Sequence, residues 1–195
     1  LDLRRLPPAE LDRWKRALQR FLDMLAVRDP RRPVLKSPPH TARVGVLGEM
    51  FPESRFLHVV RDPFVVFPST LRLWKSLHDV QSLQVDRGEA LERYAFNCFD
   101  EMYAAFERDR PAVADRLHEV RYEDIVADPV GTMQDCYERL DLGDFARVRP
   151  ALEKQADSMK RYRTNTYRHD PRLAAEITRH CRGFMDRYGY EPPAA

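Results

Sequence analysis

Residues 55–74 constrain the fold of this chain more than any other stretch. Phe56-Leu57-His58-Val59-Val60 is a short apolar run between Arg55 and Arg61, and such a run predicts a buried strand over 55–60. Asp62 and Pro63 follow at once. A carboxylate caps the first turn of a helix, and proline fits its first position because no N–H is needed there. The strand is therefore predicted to pass directly into a helix, with Arg61 at the strand's carboxyl end. Ligands bind at that edge in open α/β sheets. Ser69 falls one to two turns into the predicted helix. A guanidinium fork and a hydroxyl close to a helix N-terminus suit a phosphate monoester.

The same Asp-Pro signal returns at Asp128-Pro129 and Asp170-Pro171, predicting helices that run to about Leu140 and Tyr188. Leu11, Trp14, Leu18, Phe21, Leu22 and Leu25 recur at helical spacing and predict a helix over Ala9–Val27. Further helices are predicted over His40–Met50, Pro63–His78, Asp86–Arg108 and Phe145–Lys160. That over 86–108 carries the stripe Leu91, Tyr94, Ala95, Cys98, Phe99, Met102 and Phe106. Residues 79–87 read as a polar connection, and residues 74–87 as the best place for substrate contact. Pro33–Ser37 and Leu117–Arg121 read as two more strands. Strands separated by helices imply parallel pairing through right-handed crossovers. The expectation is an α/β fold, a parallel sheet with flanking helices. With only seven glycines and no low-complexity tract, residues 1–195 read as a single domain.

Composition narrows the function. The 33 basic and 31 acidic residues leave a net charge of +2, without the one-sided basic surface of a nucleic-acid binder. Cys98, Cys136 and Cys181 are far apart and odd in number, which supports neither a zinc site nor a disulfide framework. No apolar run approaches the ~20 residues of a membrane span, and no signal peptide is visible. The expected location is the cytoplasm, and no metal is expected.

Three segments in order then carry a resemblance. Val34-Leu35-Lys36-Ser37-Pro38-Pro39-His40, Arg61 with Ser69 eight residues later, and Arg121-Tyr122-Glu123-Asp124-Ile125 before Asp128-Pro129 are similar to motifs of sulfotransferases that use 3′-phosphoadenosine 5′-phosphosulfate (PAPS), closest to the broad bacterial-type group. The resemblance implies a fold like that of P-loop nucleotide kinases. It implies PAPS as sulfuryl donor and a hydroxyl or amine acceptor on a small molecule, glycan or lipid. It places Arg61 and Ser69 on the 3′-phosphate and Tyr122 near the nucleoside. Lys36 would offset charge developing at the transferred group. His40 is the candidate base, imidazole having a suitable pKa, although it stands four residues after the lysine rather than two. The basic run Lys160-Arg161-Tyr162-Arg163 resembles a late segment that closes over the 3′-phosphate, with Arg163 the residue chosen. His58, inside a strand, reads as a hydrogen-bonded core histidine, and Glu123 and Asp124 as loop-capping acids.

The family's Gly-rich loop for the 5′-phosphosulfate has no counterpart. Gly45 and Gly48 are the only close glycine pair ahead of Arg61, and they fall within a predicted helix. The chain therefore reads as the C-terminal portion of the family's fold, incomplete at its N-terminus, with a missing N-terminal segment or a partner chain to be supplied and a sheet edge left exposed. Two rivals remain. A nucleotide kinase would need a phosphate loop and magnesium ligands, and neither is apparent. A non-catalytic nucleotide-binding remnant or subunit would need no loop.

Overall fold

Two parallel strands pair in the computed structural model of the protein, which describes residues 1–81, 89–159 and 170–193. In chain order the elements are α1 (Pro8–Arg28), α2 (Val44–Met50), β1 (Phe56–Val60), α3 (Pro63–Gln81), α4 (Glu89–Asp109), β2 (Leu117–Arg121), α5 (Tyr122–Ala127), α6 (Pro129–Leu140), α7 (Arg149–Met159) and α8 (Pro171–Tyr188). Short 3₁₀ turns at Pro38–Arg43 and Arg110–Arg116 lead into α2 and β2. The chain divides into two compact units, one of residues 1–55 and 98–116, the other of residues 56–97 and 117–195. No helix among the described residues is long and apolar enough to cross a membrane.

In the first unit, Ala42, Val44, Val46, Leu47, Ala105, Phe106 and Val113 are buried. A Cβ at Gly45 would stand 2.7 Å from the Asp109 carboxylate, so only glycine lets α2 approach this closely. Asp109 is held by Arg108 at 2.8 Å and Arg4 at 3.2 Å, and Arg108 also reaches Asp2 at 2.7 Å. Arg116 donates to the carbonyls of Gly48, Phe51 and Pro52. A cation is thereby placed where the end of α2 leaves its acceptors free.

In the second unit, β1 and β2 run parallel with Phe56 opposite Leu117 and Val60 opposite Arg121. The Asp-Pro helix starts form as predicted. Asp62 Oδ1 accepts from the Phe64 amide at 2.8 Å, Asp128 from Gly131 at 2.9 Å and Asp170 from Arg172 at 2.9 Å. Pro68 lies inside α3, which still runs to Gln81. Helix α8 packs on α3, and α6 packs on β2, α5 and α7. Phe67 and Phe96 stack at 4.6 Å, as do Phe96 and His180 at 4.5 Å. His58 is buried, its Nδ1 3.1 Å from Glu119 Oε1, and the Tyr188 hydroxyl donates to the same oxygen.

Two expectations need correction. Pro33–Ser37 is not a strand, and Val34 is 92% exposed. An extended segment counts as a strand only when a neighbour takes its backbone hydrogen bonds, and no described residue does so here. Nor is β1 buried on both faces. His58 and Val60 point inward, whereas Leu57 and Val59 are 39% and 46% exposed, because α6 covers that face over β2, where His118 meets Asp135 at 3.1 Å, more than over β1.

Candidate functional site

The register decides what meets at the strand ends. Val60 pairs with Arg121, so Arg61 and Tyr122 leave the sheet side by side. The Arg61 guanidinium carbon lies 4.2 Å from the centroid of the Tyr122 ring, a face-on cation–π contact. No carboxylate pairs with Arg61 among the described residues. A cation–π contact occupies none of the guanidinium's N–H donors, which are the groups a phosphate or carboxylate uses. One step further, the Asp62 amide donates to Glu123 Oε1 at 3.2 Å, and α3 begins.

Ser69 is half-buried on α3, seven residues into the helix and so ~9 Å along its axis from Pro63. Tyr122 is half-buried at the first position of α5, a helix where the sequence predicted a loop. Glu123 and Asp124 fall in its first turn, the favourable end for acids. Arg163 lies outside the described residues, as do residues 82–88 of the segment expected to touch substrate.

The first unit carries the other two candidates. Lys36 is exposed on an irregular segment, not at the end of a formed strand. His40 is half-buried in the 3₁₀ turn before α2, and its Nδ1 is buried without a hydrogen-bond partner. Burial, with the Arg43 charge adding to it, pushes His40 below its ordinary imidazole value, so the ring is neutral and able to accept a proton at pH 7. Arg43, three residues on and therefore on the same side of a 3₁₀ turn, lies over the Trp14 ring at 5.5 Å with its Nε also unpartnered. Burial lowers its pKa as well.

A cavity of about 430 Å³ between α4 and α8 contains none of these residues. Its arginines are already engaged in part, Arg172 with Glu92 at 2.7 Å and Arg179 with Glu176 at 2.5 Å, which leaves it a poorer anion receptor than the Arg61 turn. Sequence reasoning read Glu123 only as a loop-capping acid and passed over Tyr190, whose hydroxyl donates to Glu123 Oε2 at 2.8 Å. Glu123 adjoins Tyr122 and could have been singled out. Nothing local marks Tyr190, 67 residues away.

The model of the sulfotransferase family matches residues 5–147. The omega-hydroxy-beta-dihydromenaquinone-9 sulfotransferases Stf3 of Mycobacterium bovis and Mycobacterium tuberculosis are each 37% identical to the chain over 192 residues, 98% of this chain and 50% of theirs. The chain thus spans about half the length of these curated relatives. Sulfotransferase STF9 from Mycobacterium avium superposes with a TM-score of 0.77 at 20% identity, covering 97% of this chain and 53% of the other. The sulfotransferase domain from the curacin biosynthetic pathway gives 0.54 at 19% identity, over 98% and 77% respectively. At such identities the two structures speak to the fold, and it is the expected sulfotransferase α/β fold.

Proposed function

Because the chain belongs to the sulfotransferase family, we propose that it binds PAPS and takes part in moving the sulfuryl group to a hydroxyl or amine acceptor. One observation carries this reading. The Arg61 fork stands at the carboxyl end of β1, over the Tyr122 ring and free of acidic partners among the described residues. An extra phosphate on the ribose is the ligand such a fork selects. Ser69 supplies a second donor from α3, Tyr122 holds both the fork and the nucleoside, and Arg163 closes over the 3′-phosphate.

In the transfer, an acceptor oxygen or nitrogen forms a bond to sulfur as the bond from sulfur to the bridging phosphate oxygen breaks. Lys36 offsets the charge that builds on that oxygen. His40, kept neutral by burial, is the base that takes the acceptor's proton. The reading takes residues 1–195 as one sulfotransferase-like domain, with the loop for the 5′-phosphosulfate supplied by other sequence. The names of the relatives specify a hydroxylated dihydromenaquinone, which favours a lipid hydroxyl as acceptor here.

Incubated with the sequence that supplies the 5′-phosphosulfate loop, PAPS and a lipid bearing a terminal hydroxyl, the protein is expected to release adenosine 3′,5′-bisphosphate and sulfated lipid in equal amounts by mass spectrometry. Binding of the bisphosphate with no sulfate ester or sulfamate formed on hydroxyl or amine acceptors contradicts the transfer reading.

A further inference from the structure

The peptide on which Arg61 leaves the sheet is held by the far end of the chain. Helix α8 stops at Tyr188, and Gly189 adopts a left-handed conformation, φ 68°, that returns the Tyr190 amide to the Met185 carbonyl at 3.0 Å. The Tyr190 ring then lies parallel to Phe184 at 5.9 Å, 8% exposed, with its hydroxyl on Glu123 Oε2. The other Glu123 oxygen accepts the Asp62 N–H. That N–H shares one planar peptide group with the Arg61 carbonyl, so whatever fixes it fixes the direction in which Arg61 departs from β1. The Arg121 guanidinium lies over the Tyr190 ring at 4.6 Å, with its Nε 3.9 Å from Glu123 Oε2, and balances the carboxylate charge.

We propose that Glu123 is a positioning residue for the Arg61 fork, gripped on one oxygen by the Asp62 amide and on the other by Tyr190; this rests on the nucleotide reading above. A carboxylate only accepts hydrogen bonds, so one side chain can serve both donors. Burial first, and the Glu123 carboxylate second, push the Tyr190 phenol well up from its ordinary value, so it remains a donor throughout the working pH range. Tyr188 donates instead to Glu119 beside His58, two residues before Arg121 on β2, and serves as a control.

Calorimetry with adenosine 3′,5′-bisphosphate and adenosine 5′-monophosphate tests the proposal through the ratio of the two affinities. Wild type is expected to prefer the bisphosphate. Tyr190→Phe, which loses one hydrogen bond to a charged group, should reduce that ratio about tenfold, and Glu123→Ala, which loses both, at least as much. Glu123→Gln should stay within about threefold of wild type, because its carbonyl still takes the Asp62 amide and its NH₂ can donate to the phenol oxygen. Tyr188→Phe should lower the melting temperature and leave the ratio alone. If Glu123→Ala fails to fold, Tyr190→Phe decides. An unchanged ratio in a folded Tyr190→Phe protein overturns the role of Glu123 and leaves that of Arg61 standing. So does an equal fall in Tyr188→Phe, which would mark a general structural effect. No preference in wild type removes the nucleotide reading and this inference with it.

Discussion

Replacing Arg61 with alanine should weaken binding of adenosine 3′,5′-bisphosphate by about 2–4 kcal/mol, roughly 30- to 1,000-fold. Affinity for adenosine 5′-monophosphate should change by less than about threefold. The size follows from what is removed. A charged fork makes hydrogen bonds of about 1.5–3 kcal/mol each to an ionised partner, and no described residue offers a second cation against the Tyr122 face. The selectivity follows from location, because the loss falls only on the ligand that carries the extra phosphate. Arg61→Lys should recover part of the loss at most. It keeps the charge and gives up the planar fork that lies over the Tyr122 ring at 4.2 Å. Isothermal titration at fixed ionic strength measures both ligands, and an equal loss for the two would contradict the assignment.

Arg108→Ala should cost about 2–4 kcal/mol of folding stability, read by thermal or urea unfolding. Its guanidinium reaches Asp2 at 2.7 Å and Asp109 at 2.8 Å, and both carboxylates are buried. Truncation leaves two desolvated charges, with Arg4 still on Asp109 at 3.2 Å and Arg108 itself half exposed. The cost therefore falls toward the lower part of the usual range for breaking buried pairs. Arg108 is the main reason that both carboxyls sit below their ordinary values. A depressed folded pKa stabilises the folded state above the unfolded value, and that stabilisation is lost as pH falls through the folded one. The gap between wild type and variant should accordingly be full at pH 7 and shrink as pH drops below about 4. A gap that widens toward acid would contradict this sign.

The features legible in the sequence were those encoded locally. Asp62, Asp128 and Asp170 each find an amide two or three residues onward, and a capping signal needs no knowledge of the rest of the fold. Strand β1 was visible because a short apolar run ends in an abrupt polar boundary. Val34-Leu35 reads the same way and forms no strand, since pairing depends on a neighbour that a local pattern cannot reveal. The α4 stripe was half right. Ala95 and Phe106 are buried, but Tyr94 is 57% exposed, and Phe96, off the predicted stripe, is buried against Phe67 and His180. Packing from α8 chose the face there, and helical spacing alone leaves that choice open by one residue. At the site, Arg61 and Tyr122 were legible as separate residues. Their contact follows from the register of β1 on β2. The hold of Tyr190 on Glu123 could not be anticipated, because it depends on the turn at Gly189 bringing distant residues together.

Side-by-side titration of the wild-type protein with adenosine 3′,5′-bisphosphate and adenosine 5′-monophosphate bears most directly on the role given to Arg61. The bisphosphate should bind at least about tenfold more tightly, as one charge-assisted phosphate contact implies. Equal affinities would mean that the cationic end of β1 does not read the ribose phosphate.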